Sequence, residues 1–162
     1  MFKKSKPLKK PDDADHGYEY ALFLLNLSMR TEFEMREKMA RRGYFPKIID
    51  EVVQRLFDDR YLNDDHYAEV FIDSLKRYKY YGRFMMKKKL YEKKLPKEVI
   101  EDKLHELVTE DDELDIAQRY VEKNFGPLKE IKKFDYDQKQ KVMRRLMARG
   151  FGLDLVKSLL GV

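Results

Sequence analysis

Apolar residues recur every three or four positions along most of this chain, and that spacing predicts amphipathic α-helices. The pattern begins with one helical face made of Tyr18, Ala21, Leu22, Leu25 and Met29. Only seven glycines and five prolines occur in 162 residues, too few for the many tight turns of a β-sandwich or barrel. The sequence therefore predicts an all-α protein.

Residues typical of helix ends mark the second and third predicted helices. Thr31 followed by Glu34 has the spacing of a capping box, which satisfies free N–H groups at a helix start. Gly43 predicts the C-terminal end of that helix, and Pro46 suits the first turn of the next one. The apolar face of the third helix consists of Ile48, Ile49, Val52, Val53 and Leu56.

The same series of helices recurs twice more, at a spacing of 51 residues and then of 56 residues. A repeat of this kind is typical of tandem structural modules. The equivalent apolar sets are Met35, Met86 and Val142; Met39, Leu90 and Leu146; Tyr44, Leu95 and Phe151; and Ile49, Ile100 and Val156. We therefore divide the chain into a tail at 1–16 and helical modules at 17–63, 64–110 and 111–162. The tail has almost nothing to bury and is expected to be mobile.

The later modules carry two further assignments. A loop through Gly126 and Pro127 is predicted to precede the middle helix of the third module. Tyr78 is assigned to the buried face that opens the second module. That face consists of Tyr67, Val70, Phe71, Ser74, Leu75 and Tyr78.

Charge is segregated among the predicted helices. The net charge is +5, but residues 76–94 alone carry nine Lys or Arg against one Glu. The middle helix of every module is basic, so modules packed side by side in similar orientation would form a continuous positive stripe able to follow a polyanion. The candidate contact residues are Arg36, Arg41, Arg42, Lys87, Lys88, Lys93, Arg144, Arg145 and Arg149.

Two tyrosines lie beside the densest basic segment. Aromatic rings next to cations can stack on exposed nucleobases, and Tyr80 and Tyr81 are the candidates for such contacts. Exposure of these rings and their burial in the core are both open at this stage.

Other kinds of chemistry find little support in the residues. The three histidines have no mutual spacing suited to a metal site, and paired aspartates at predicted helix ends are better explained as caps. No glycine-rich phosphate loop or nucleophile elbow is present, so neither a cofactor nor a catalytic residue is predicted. The chain has no cysteine and no apolar run approaching a membrane span, which favours a cytoplasmic location.

Several motifs resemble the RecX family of regulatory proteins. The most specific is the segment from Tyr61 to Ala68, which reads Tyr-Leu-Asn-Asp-Asp-His-Tyr-Ala, and the likeness covers nearly everything after the tail. Two residues depart from the family pattern in the second module. Lys94 stands where the family commonly has glycine, and Phe84 replaces a small residue or proline after Gly82.

The resemblance implies a specific role. Members of the family modulate RecA, the recombinase that polymerises on single-stranded DNA, and typically inhibit its ATP hydrolysis, strand exchange and repressor cleavage. They are understood as three tandem three-helix modules in an elongated, curved arrangement that lodges in the filament groove. We therefore expect a monomer whose partner is the RecA filament, with single-stranded DNA inside it as a further contact.

Two alternatives remain at this stage. Helices joined at Gly43 could form a helix-turn-helix, which would make the chain a stand-alone helical DNA-binding regulator. A helical enzyme would need a cluster of polar residues in a cleft, and the sequence does not indicate one.

Overall fold

The structure is a computed structural model that describes residues 7–162. Helices account for all of the regular structure in this range, and no β-strand occurs within it. A π-helical turn at Leu75–Lys79 continues the fourth helix. The α-helices are α1 (Ala14–Leu27), α2 (Glu32–Arg42), α3 (Pro46–Asp58), α4 (Asp64–Ser74), α5 (Arg83–Glu92), α6 (Lys97–Leu107), α7 (Glu110–Phe125), α8 (Leu128–Ile131), α9 (Tyr136–Ala148) and α10 (Leu153–Leu160).

The helices belong to two compact units. The first contains the residues up to Tyr67 together with Lys93–Leu95, and the second contains Ala68–Glu92 and Pro96–Val162. In the first unit α1 and α2 both pack on α3. In the second unit α5 packs on α6, and α7, α9 and α10 pack on one another.

In the first unit, α2 and α3 begin at the residues that the sequence predicts, and their apolar side chains contribute to the core. The hydroxyl of Thr31 accepts the Glu34 N–H at 3.1 Å, and the Glu34 carboxylate accepts the Thr31 N–H at 3.2 Å. This confirms the predicted capping box, which fixes the start of α2. Pro46 is the first residue of α3, as predicted. The fully buried apolar side chains of this unit include Met35, Met39, Val52 and Leu56.

The first helix begins within the segment that the sequence assigns to a tail. Asp13 caps α1 by accepting the His16 N–H at 2.9 Å, so the last residues of 1–16 are helical. Leu8 packs against the core, and the Phe45 N–H donates to the Pro11 carbonyl at 3.0 Å. These contacts give residues 7–16 the burial that the apolar pattern alone did not indicate, while residues 1–6 lie outside the described part of the chain.

The buried side of α1 also differs from the expected face. Leu24 is buried and Leu25 is only partly so, while Met29 lies beyond the end of the helix and is 44% exposed. Since α1 ends at Leu27, Met29 cannot continue its apolar stripe.

The internal repeat is confirmed by burial. All twelve equivalent apolar residues are buried, and the most accessible of them, Ile49, is only 6% exposed. They lie on or just after α2, α5 and α9, and on α3, α6 and α10. Each module therefore uses the same positions of its second and third helices to build its core.

The repeat extends to a strained backbone position. Gly43 and Gly150 end the middle helices of the first and third modules, with φ angles of 108° and 87°. The equivalent residue of the second module is Lys94, whose φ angle is 57°. Glycine adopts this left-handed conformation freely, whereas a side chain on Cβ makes it costly. Lys94 is thus a non-glycine residue at a site where the repeat favours glycine.

Replacing Lys94 by glycine is therefore expected to stabilise the protein. The relief of left-handed strain exceeds the extra entropy of glycine in the unfolded chain, for a net gain of up to about 1 kcal/mol. Urea denaturation followed by circular dichroism measures the free energy of unfolding. Lys94→Ala removes the same charge but keeps a Cβ atom, so it should bring no gain. Equal stabilities of the two variants would contradict the strain at this position.

The predicted apolar face of the second module is wrong at Val70, which precedes the π-helical turn, and at Tyr78, which lies within it. Tyr78 is 76% exposed and Val70 is 44% exposed, whereas Ile72 is fully buried. A π-helix has more residues per turn than an α-helix, so residues after Leu75 rotate away from the stripe that an α-helical spacing predicts. The assignment of Tyr78 to the core was wrong for this reason.

The predicted loop of the third module contains a short helix. Pro127 precedes α8, and Ile131 at its end is fully buried. A single turn of helix was too short to produce the repeating apolar pattern that reveals a longer one.

Candidate functional site

The helix α9 presents a basic surface in the second unit. Asp135 caps it by accepting the Gln138 N–H at 2.8 Å, and the helix buries Val142 and Leu146. Because these apolar residues face the core, the cationic side chains between them lie outside, and Arg144 and Arg145 are exposed. Within residues 7–162 no ion pair involves the cations of α9, which are Lys139, Lys141, Arg144 and Arg145.

The cations of α2 are partly neutralised by carboxylates. Arg36 lies 2.8 Å from Glu32 and 2.6 Å from Asp50, and Arg41 lies 2.7 Å from Glu37. The remaining candidate of this helix, Arg42, is exposed and has no ion pair in the described range. Only part of the charge counted from the sequence is therefore available to a partner.

In the second module, too, some of the candidate cations are paired with carboxylates and others are not. Lys87 lies 2.6 Å from Glu101 on the neighbouring helix, and this hydrogen bond raises the pKa of Lys87 and lowers the pKa of Glu101. Lys93 lies 3.0 Å from Glu34. Lys88, in contrast, is exposed and forms no ion pair with any residue from 7 to 162. The acidic helix α6 thus compensates Lys87 and leaves Lys88 unpaired.

A pocket of about 340 Å³ brings together three of the candidate residues, Tyr80, Tyr81 and Arg149. All of its lining residues belong to the second unit. The lining contains four tyrosines, three cations and one amide, with no carboxylate among its described members. The lining residues are Tyr78, Lys79, Tyr80, Tyr81, Tyr120, Lys123, Asn124 and Arg149.

The backbone before α5 shapes this pocket. The N–H groups of Tyr80 and Tyr81 both point to the carbonyl of Leu75, which closes the π-helical turn. Tyr80 then takes a left-handed conformation with a φ angle of 50°. Strain of this kind in a non-glycine residue persists only where the surroundings enforce it, and such positions are concentrated at functional sites.

Two glycines allow the chain to close behind the pocket. The Gly82 N–H donates to the Arg149 carbonyl at 2.9 Å, and the Phe84 N–H donates to the Gly150 carbonyl at 3.1 Å. A Cβ atom at Gly82 would lie 2.5 Å from the Gly150 oxygen. This close approach joins the start of α5 to the end of α9, so the second and third modules build the pocket together.

Arg149 is the cation most firmly held in the pocket. Its guanidinium lies 4.3 Å from the ring centre of Tyr120 and 5.5 Å from that of Tyr81. It also donates a hydrogen bond to the carbonyl of Lys79. These contacts make Arg149 a support for the tyrosine rings, while Lys79 and Lys123 remain exposed at the pocket.

The structure thus groups the predicted contact residues differently from the sequence. Tyr80, Tyr81 and Arg149 share one pocket, and Arg144 and Arg145 lie on the helix that ends there. The candidates Arg36, Arg41, Arg42 and Lys93 belong to the first unit, so a stripe along all three modules stays a prediction.

Five pocket residues were missed by the sequence, and their positions explain why. Tyr120 lies at an apolar position of α7 and is only 7% exposed, although its ring reaches Arg149. Tyr78 had been placed in the core. The others, Lys79, Lys123 and Asn124, carry no local pattern, since only the approach of two modules brings them together.

Some other classes of site are not indicated by the described residues. Between residues 7 and 162 no three His, Cys, Asp or Glu side chains are grouped so that they could hold a metal ion. In that same range no helix combines the length and apolar character needed to cross a membrane.

Tandem three-helix modules, with a basic helix and an aromatic pocket, define a modular all-helical protein. Comparison with known families assigns the modules one by one. Residues 18–56 match the first three-helix domain of RecX, residues 63–104 the second and residues 110–160 the third. The chain belongs to the RecX family of regulatory proteins.

Individual relatives agree with this assignment. The chain is 31% identical over 154 residues to the regulatory protein RecX of Clostridium perfringens strain 13, covering 95% of this chain and 71% of that protein. It is 31% identical over 146 residues to that of Finegoldia magna, covering 90% of this chain and 71% of the relative.

Solved structures show the same fold. The crystal structure of RecX from Lactobacillus salivarius matches with a TM-score of 0.81 at 24% identity, covering 93% of this chain and 96% of that one. A second crystal structure of a regulatory protein RecX matches with a TM-score of 0.78 at 18% identity, covering 100% of this chain and 82% of that one. The predicted all-α fold of three-helix modules is confirmed.

Proposed function

We propose that this chain binds the filament that RecA forms on single-stranded DNA and lowers the ATP hydrolysis, strand exchange and repressor cleavage of that filament. The observation that carries the proposal is the outer face of α9, where Lys141, Arg144 and Arg145 are exposed without carboxylate partners among residues 7–162. Such cations keep their full attraction for a polyanionic partner. Family membership supports a regulatory role.

The protein acts by binding and not by catalysis in this proposal. The pocket at Arg149 is lined by tyrosine, lysine, arginine and asparagine side chains, and no carboxylate or histidine, the commonest general bases, belongs to its described lining. No cofactor is required. The protein is proposed to work as a monomer in the cytoplasm, where the RecA filament assembles.

The charge of α3 disfavours the stand-alone DNA-binding alternative. In a helix-turn-helix, α3 would be the recognition helix after the turn at Gly43. Its exposed charged side chains are three carboxylates, Asp50, Glu51 and Asp58, and one lysine, Lys47. This excess of negative charge opposes approach to phosphates, so α3 is poorly suited to enter a DNA groove.

Sedimentation with RecA filaments tests the proposal. The chain is mixed with filaments on single-stranded DNA, and separately with random duplex in the absence of RecA. We expect tighter binding to the filament, with an affinity that falls as salt rises because cations contact phosphates or carboxylates. Equal affinity for free duplex would favour the stand-alone DNA-binding regulator instead.

A further inference from the structure

The tyrosine pocket combines the two features that a nucleotide unit requires. Tyr78 projects a ring that is 76% exposed, and the ring centre of Tyr80 lies 6.4 Å from that of Tyr120. Lys123 is exposed, with its ammonium 5.0 Å from the Tyr80 ring centre. Rings offer stacking surfaces for a base, and the lysines offer charge for the adjoining phosphates.

The residues that line this pocket distinguish it from an ordinary charged surface, where cations and carboxylates are mixed. Arg119, whose guanidinium lies 5.8 Å from the Tyr80 ring centre, is paired with Asp115 at 2.8 Å, and Arg77 is paired with Asp73 at 2.9 Å. Lys79 and Lys123 have no ion pair among residues 7–162, and no acidic side chain lines the pocket in that range. The pocket thus combines two unpaired lysines with four tyrosines, and its described lining holds no carboxylate that could neutralise them.

We propose that this pocket binds one nucleotide unit of single-stranded DNA, with the base stacked on the exposed ring of Tyr78 and the phosphates contacted by Lys79 and Lys123. The inference rests on the proposed function, because the strand is the one on which RecA assembles. It adds a direct DNA contact and assigns it to the joint surface of the second and third modules.

An acidic protein segment is the competing occupant, and the rings argue against it. A carboxylate would contact only the cations of the pocket. It would make no use of the tyrosine rings, which are half of the lining residues. Arg149 is already engaged with Tyr81, Tyr120 and the Lys79 carbonyl, so it is less available for a bidentate contact with a carboxylate. A nucleobase, in contrast, can stack on the tyrosine rings in the positions that they already occupy.

The test measures binding of the full chain to a labelled oligothymidylate by fluorescence anisotropy, without RecA. Tyr78→Ala and Lys123→Ala each change an exposed side chain, so both variants should fold, which circular dichroism checks. Each should weaken binding by at least about fivefold, in line with the loss of one stacked base or phosphate contact. Tyr136→Ala is the matched control, since Tyr136 is 75% exposed and lies outside the pocket. It should leave the affinity unchanged.

An abasic strand of the same length isolates the stacking contribution. The wild-type chain should bind this strand at least about fivefold more weakly than oligothymidylate, because the phosphates remain and the bases are gone. Tyr78→Ala should cause no further loss on the abasic strand, while Lys123→Ala should still weaken it. Equal binding of the two strands by the wild-type chain would overturn the stacking assignment.

Other occupants give distinct results. A glutamate-rich peptide that binds as tightly as the strand, and is lost with the same variants, would make the pocket a protein-binding site and overturn the proposal. Free thymidine monophosphate that competes at the same nucleotide concentration would make it a mononucleotide site and also overturn it.

The nucleotide-binding assignment of the pocket and the proposed regulation of RecA can each fail without the other. If Tyr78→Ala and Lys123→Ala bind oligothymidylate like the wild type while the chain still lowers RecA ATP hydrolysis, the pocket assignment is wrong and the regulatory function stands. If the variants lose the strand as expected but the wild-type chain leaves RecA unaffected, the pocket stands and the regulatory function fails.

Discussion

Replacing Gly150 by alanine is expected to lower the free energy of unfolding by at least about 3 kcal/mol, a large effect for one methyl group. Gly150 has a φ angle of 87°, which a side chain tolerates poorly. A Cβ atom there would also overlap the backbone nitrogen of Met85 and lie 2.6 Å from its Cβ atom. Strain and overlap act together, and neither can be relieved by moving a flexible side chain.

Urea denaturation of the variants measures this effect. Gly82→Ala should also be strongly destabilising, because its Cβ would meet the backbone of Gly150 and Phe151 at 2.5–2.7 Å. Gly152→Ala is the control, since its nearest neighbour would be the Phe84 ring at an ordinary 3.8 Å. If Gly150→Ala unfolds at the same urea concentration as Gly152→Ala, the close approach of α5 and α9 is not as described.

Reversing the charge of Arg144 and Arg145 together is expected to weaken binding to the RecA filament by at least about tenfold. Both side chains are exposed and have no ion pair among residues 7–162, so their reversal breaks no intramolecular bridge. The loss therefore reports contact with the partner rather than a folding defect. Sedimentation of the Arg144→Glu, Arg145→Glu double variant with filaments measures it.

A second double variant separates this surface from net charge. Lys129 and Lys132 are also exposed and unpaired within the described range, but they lie at α8. Lys129→Glu with Lys132→Glu changes the net charge by the same amount and should alter filament binding much less. Equal losses in the two double variants would show that overall charge, and not α9, governs the interaction.

The fold was largely predictable because its signals are local. Spacing of apolar residues found the helices, and Thr31, Gly43 and Pro46 marked their ends correctly. The repeat then placed Met86 and Val142 in the same role as Met35, and all three are buried. The periodicity of apolar residues and the capping of helices both depend on residues only a few positions apart. Both can therefore be recognised in the sequence alone.

The failures have physical causes that a sequence does not display. The exposure of Tyr78 follows from a π-helical turn, which changes the number of residues per turn without an obvious residue signal. The left-handed conformation of Lys94, in contrast, agrees with the sequence, because the repeat places Lys94 at the position of Gly43 and Gly150.

The candidate site was predictable only in part. Positive charge on the middle helices is visible in the sequence, but ion pairs such as Lys87 with Glu101 decide how much of it remains available. The pocket joins Tyr80 and Arg149, residues far apart in the chain, through the contact of Gly82 with the end of α9. Only a three-dimensional arrangement could reveal it.

ATP hydrolysis by RecA on single-stranded DNA tests most directly whether the chain regulates the RecA filament, as we propose. The cognate RecA is held at fixed salt while this protein is titrated. We predict a fall in hydrolysis that begins well below one chain per RecA protomer, as expected for blocked growth or induced disassembly of a filament. Unchanged hydrolysis up to stoichiometric amounts, with no cosedimentation, would contradict the proposed function and leave a basic helical protein with a different partner.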